Sequence, residues 1–145
     1  MANEFLPAKD ILDELDTQWV ANNVVEPEFV EVTGANEPLR LDLQRADHIV
    51  GRVGSPALEE TPIGNWKYGN RTYSVSLEVY TLENRQRLYN LMQEIRRICH
   101  ARMHSLTNFQ RIQFQNFNEL TQEQVNIWAG TINIQLVNNA VLLEI

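Results

Sequence analysis

Apolar residues recur at helical spacing in two stretches of the chain and at alternating spacing in five. Over residues 9–21, Ile11, Leu12, Leu15 and Trp19 fall on one side and Asp13, Glu14 and Asp16 on the other, which predicts an amphipathic helix. The Asn22-Asn23 pair is its stop, since asparagine tolerates the left-handed cap conformation. A longer helix is predicted over residues 82–103, with Leu88, Leu91, Met92, Ile95, Ile98 and Cys99 in one stripe. Thr81 is placed to cap it and Glu83 to favour its first turn. At 1.5 Å per residue such a helix is roughly 30 Å long and can lie across a sheet.

The alternating stretches predict strands at residues 28–33, 47–53, 66–81, 109–117 and 125–137. The clearest is 66–81, where Tyr73, Val75, Leu77 and Val79 oppose Thr72, Ser74, Ser76 and Glu78. In the last, Trp128, Ile132, Ile134 and Leu136 alternate with Thr131, Asn133 and Gln135. Between the second and third strands, residues 54–65 carry Pro56, Pro62, Gly64 and the Glu59-Glu60 pair without periodicity, and read as a long loop. Gly69-Asn70 is expected to turn a hairpin or bulge the third strand. Asn138-Asn139 is expected to end the last strand, leaving Val141, Leu142, Leu143 and Ile145 in an apolar tail interrupted by Glu144.

Strands grouped on either side of one long helix imply an α+β fold: a mostly antiparallel or mixed sheet of about five strands, with the N-terminal helix and the long helix on one face. The 145 residues suit one domain spanning the whole chain. Composition is globular, 43% hydrophobic and 21% charged. Residues 1–7 lack the pattern of a signal peptide and no apolar run reaches membrane-spanning length, so a soluble protein made in the cytoplasm is expected. Cys99 is the single cysteine, so no internal disulfide can form.

Charge changes the picture. The net charge of -7 argues against general nucleic-acid binding, which needs a basic surface. The distribution is uneven: residues 1–60 carry 13 acidic and 4 basic residues, net -9, while residues 61–145 carry 6 and 8, net +2. Such asymmetry marks a protein whose faces meet different neighbours, or each other. The sequence places Arg85, Arg96, Arg97, His100 and His104 together on the long helix, opposite its apolar stripe. This basic ridge is either a solvated face or the contact for the acidic N-terminal third of another copy. Amide-rich strands after Asn108, and aromatic residues such as Trp66, Tyr68 and Trp128, also suit surfaces that meet protein.

Catalytic motifs are missing: the chain has no glycine-rich phosphate loop, no G-x-S-x-G elbow and no H-E-x-x-H helix. His100 and His104, four apart, could share a metal, but zinc needs a third protein ligand. His48 and Cys99 are the remaining candidates, and Cys99 belongs to the apolar stripe. No enzyme activity, metal or cofactor is expected.

One run of local sequence carries a resemblance. It comprises Ala46-Asp47-His48-Ile49-Val50, then Gly64-Asn65-Trp66-Lys67-Tyr68-Gly69-Asn70-Arg71-Thr72-Tyr73, Leu77-Glu78-Val79-Tyr80-Thr81, Arg85-Gln86-Arg87-Leu88-Tyr89 and His104-Ser105-Leu106-Thr107-Asn108-Phe109-Gln110-Arg111-Ile112. With the order of elements from about Leu41 onward, it resembles the tail-terminator (tail-completion) proteins of long-tailed phages and related viruses. The resemblance implies a virion structural protein at the head–tail junction. It would form a homo-oligomeric ring, usually a hexamer, that caps the tail tube, ends its polymerisation and offers the surface on which the head-completion or connector protein docks. Viral DNA would pass the lumen without tight binding, with Glu59 or Glu60 among the lining carboxylates, and no membrane is involved. The 54–65 loop would be a docking element. The alternatives are another neck ring (a head-completion or connector protein), a small metal-dependent enzyme using His100 and His104, or a host-side binding module with no virion role. The apolar tail has no counterpart in the family; it either packs into its own domain or adds a strand to a neighbour's sheet.

Overall fold

The computed structural model describes residues 7–31, 46–63, 65–106, 109–120 and 127–141. Seven elements follow in order: α1 (Pro7–Gln18), β1 (Glu28–Glu31), β2 (His48–Ile63), β3 (Asn65–Thr81), α2 (Arg85–Ala101), β4 (Arg111–Glu119) and β5 (Trp128–Val141). The strands form one five-stranded sheet in the order β1-β2-β3-β5-β4. β1 runs parallel to β2 and every other neighbour is antiparallel, so the sheet is mixed and the fold is α+β.

Both helices lie on the face that the alternation marked as apolar. Ile11, Leu12 and Leu15 of α1 and Leu88, Leu91, Ile95, Ile98 and Cys99 of α2 share one buried cluster with Ile49, Val75, Leu77, Val79, Ile112, Ile132, Ile134 and Leu136 of the sheet. The register explains why these strand residues share a face: Val75 pairs with Ile134, Leu77 with Ile132 and Ile49 with Val79. Two glycines let layers approach closely. A Cβ on Gly51 would stand 2.6 Å from Leu12 Cδ1, which seats α1 directly on β2. A Cβ on Gly130 would run into the Phe117 ring, which covers that glycine from β4.

Several boundaries differ from expectation, each for a physical reason. Residues 54–63 are not loop but the second half of β2, paired with β3 from Leu58↔Tyr73 to Pro62↔Gly69. Composition gave no sign of this because the β3 backbone supplies the template. The prolines fit: Pro56 lies where the register shifts between Val53 and Leu58, and Pro62 lies past the β1 pairing, which reaches only Gly51. Bulges and strand edges are where a residue without an N–H does least harm. The hairpin turns between Ile63 and Asn65; Gly69 and Asn70 lie within β3, between β2 and β5.

The Asn138-Asn139 pair does not end β5, which continues through Asn138↔Arg71 and Asn139↔Asn70 to Val141↔Tyr68. Val141 therefore belongs to the sheet, while Leu142, Leu143, Glu144 and Ile145 lie outside the described residues. The long helix begins later than the spacing indicates. Asn84 is its cap, accepting from the Arg87 N–H at 2.8 Å, whereas Thr81 closes β3 and its hydroxyl accepts from the Glu83 N–H at 3.2 Å. It also ends earlier, at Ala101, and β4 runs two residues later at each end than the predicted strand.

Candidate assembly surface

The residues of α2 that point away from the core divide into two arcs. One faces α1 and the start of β2. There Arg87 Nε donates to Asp47 Oδ2 at 2.6 Å and Arg87 Nη2 to the Val25 carbonyl at 2.8 Å. Arg102 Nε donates to Glu14 Oε1 at 2.7 Å, just past the helix end. Glu94 is buried in this arc, held by Arg97 and reached by the Asn23 amide at 3.3 Å. Arg97 also donates to the Gln18 carbonyl at 3.2 Å. Part of the acidic N-terminal third therefore meets the basic helix within one chain.

This redefines the expected ridge. Arg97 is tied to Glu94, and Arg85 to Glu119 at 2.9 Å with its guanidinium 5.2 Å from the Trp128 ring centre. The outer arc keeps Arg96 and His100 exposed, one turn apart. His104 does not join them as a helical i, i+4 partner, because it lies in the turn after Ala101 with Nδ1 3.2 Å from the Gln110 carbonyl. Cys99 is buried, and burial pushes its thiol up to about 12. His48 is buried on β2, its Nε2 3.1 Å from Glu28 and its Nδ1 3.0 Å from the Ala46 carbonyl. Among the described residues, no three histidine, cysteine or acidic side chains converge as metal ligands.

At the start of α2 an open cleft of about 880 Å³ is lined by Val25, Glu26, Asp47, Leu82, Glu83 and Arg87, among others. Val25 is 70% exposed and Leu82 36%. A hydrogen bond that the protonated Glu26 carboxyl donates to Asp16, then slight burial and the Asp16 charge, push the Glu26 carboxyl above its ordinary range. The rim of the cleft is therefore acidic, and Val25 and Leu82 are exposed at it among the described residues.

The sheet face opposite the helices is polar. Ser76 Oγ donates to Asn133 Oδ1 at 3.1 Å and Asn133 Nδ2 to Asn116 Oδ1 at 2.7 Å, joining β3, β5 and β4. Next to this chain of amides, the Tyr80 hydroxyl donates to Glu78 at 2.9 Å, and Arg52 Nε lies 3.1 Å from the same carboxylate, without the alignment of a hydrogen bond. Burial, then the bond to Glu78, pushes the Tyr80 hydroxyl up to about 12.

Glu59, Glu60 and Trp66 belong to a third feature. β4 reaches no further than Arg111↔Val137, and Val137 pairs with Thr72 on its other side. Among the described residues, β2, β3 and the end of β5 continue past that point, and past Tyr68 the β2–β3 hairpin continues. At about 3.3 Å per residue this arm extends roughly 20 Å past the end of the β4 pairing. The sequence singled out Glu59 and Glu60 within a loop and Trp66 at the start of a strand.

Arg87, Asp47, Glu94, Arg102 and Glu14 escaped the sequence reading. Glu94 carried a signal, being a charge within the apolar stripe between Leu91, Ile95 and Ile98. The other pairs join residues 40 and 88 positions apart, beyond the reach of local periodicity. No helix among the described residues is long and apolar enough to cross a membrane. Comparison with known protein families and with characterised proteins finds no family that matches this chain and no relative of significant similarity.

Proposed function

We propose that this chain is a non-catalytic structural subunit of a viral particle, assembling as a ring at the head–tail junction that caps the tail tube and receives the head-completion or connector protein. The observation that carries the reading is the β2–β3 arm. It has three strands as far as Tyr68↔Val141 and two beyond, and a narrow ribbon that continues past the edge of β4 gains stability by packing on a neighbour. The polar, amide-rich face opposite the helices and the resemblance in local sequence support the same role. Net acidity suits a lumen through which DNA moves without being held, because counterion-releasing contacts to many phosphates would arrest it.

Native mass spectrometry of the purified chain, and of the chain mixed with tail-tube protein, tests this. Closed rings, six-fold by the resemblance, and arrest of tube growth are the expected results. A protein that stays monomeric, or that binds duplex DNA tighter than roughly micromolar at physiological salt, overturns it.

A further inference from the structure

We propose that the cleft at the start of α2 is the acceptor half of a head-to-tail subunit contact, and that the cationic outer arc of α2 on a second copy, Arg96 with His100, fills it. The inference rests on the ring reading and names the surfaces that would build the ring. Four observations lead to it. Val25 and Leu82 are exposed together at the cleft, with Val20 exposed nearby in the α1–β1 connection. Among the described residues the carboxylates around them outnumber the cations: Arg87 is shared between Asp47 at 2.6 Å and Glu83 at 3.7 Å, while Asp16 and Glu26 face one another. Two like charges held together at a surface are relieved when a cation arrives from outside. The complement is elsewhere on the same chain. Arg85 and Arg97 are held by Glu119 and Glu94, which leaves Arg96 as the exposed cation of the outer arc, with the exposed His100 imidazole one turn on.

Donor and acceptor cannot meet within one chain. Glu83 and Arg96 stand 13 positions apart along the α2 direction, roughly 20 Å at 1.5 Å per residue. A surface with its complement at a different place on the same molecule makes a heterologous contact, which closes into a ring or runs on as a filament. The apolar groups supply the desolvated centre, and the charges set register and steer encounter.

The test uses charge reversal of the full chain, with the Arg87–Asp47 pair untouched. Variant one carries Glu26→Lys and Glu83→Lys; variant two carries Arg96→Glu and His100→Glu. Both substitute exposed positions, and circular dichroism checks that each is folded. Each alone is expected to weaken association by more than roughly tenfold, since like charges are brought together. Mixing the two variants is expected to restore rings with alternating subunits, because each then meets its complement on both sides. Rings indifferent to either reversal overturn the contact while leaving the ring reading intact. Loss in both variants without rescue on mixing overturns it too. A wild-type chain that is monomeric at every concentration instead removes the ring reading itself.

Discussion

Arg87 and Asp47 meet at 2.6 Å, guanidinium Nε to carboxylate Oδ2, with both side chains mostly withdrawn from water. The pair fixes the first turn of α2 to the entry of β2, and the second donor of Arg87 reaches the Val25 carbonyl before β1. One side chain thus ties together a helix, the residue before a central strand and the connection leading to the parallel edge strand.

Removing one partner strands the other. Asp47→Ala and Arg87→Ala are each expected to destabilise the fold by about 3 kcal/mol, the lower end for breaking a buried pair. The double variant is expected to cost less than the two single changes together, since no lone charge remains. Urea unfolding of the four proteins gives the coupling, and strictly additive effects would show that the pair does not act as a unit.

Gly51 offers a packing test. Leu12 lies where its Cβ would be, and Leu12 is itself buried. Gly51→Ala is expected to push α1 away from β2 and destabilise by about 1–3 kcal/mol. Unfolding of the Gly51→Ala, Leu12→Ala double variant is the check: the smaller side chain makes room, so the effect of alanine at 51 should shrink on that background.

These sites show what sequence could and could not reveal. The stripe from Leu88 to Cys99 and the alternation from Tyr73 to Val79 were legible because a period of burial is written into neighbouring residues. The second half of β2 was not, since Glu59, Glu60 and Pro62 pair through the backbone of β3 whatever their propensity, and Pro56 sits at the register shift between Val53 and Leu58. For the same reason Asn138 and Asn139 continue β5 where asparagine alone indicates a stop. The basic helix was visible in sequence, but which of its arginines are consumed within the chain depends on Glu94, Asp47, Glu14 and Glu119 arriving from other turns and strands.

Cys99 predicts a pH dependence. Burial pushes its thiol up to about 12, against an ordinary value near 8.5. The folded state therefore holds the neutral form, and this term leaves stability unchanged below the ordinary value. Above it the unfolded chain ionises first, so stability falls with rising pH, by about 2 kcal/mol near pH 10 from this group. Alkylation at pH 8 should be far slower in the folded protein than in denaturant. Comparable rates in both would mean that Cys99 is open to solvent.

The arm separates fold from assembly. Among the residues of β2 and β3 whose burial is described, the buried ones lie at His48, Ile49, Val50 and Gly51 and from Val75 onward, all on the core side of the Glu59↔Thr72 pair. Replacing residues 60–71 by Asn-Gly closes the hairpin at that pair with a two-residue turn whose twist suits antiparallel strands. The shortened protein loses the pairing of Asn138, Asn139, Ala140 and Val141 with β3 but none of the central apolar cluster. It is therefore expected to unfold cooperatively, within about 2 kcal/mol of the parent, since what is lost is peripheral strand pairing. If the arm seats on a neighbour, the same change abolishes rings and any arrest of tube growth. A shortened protein that no longer folds would place the arm within the stability of its own domain. One that folds and still forms rings would assign the subunit contact elsewhere, leaving the arm free for the tube or the docking partner.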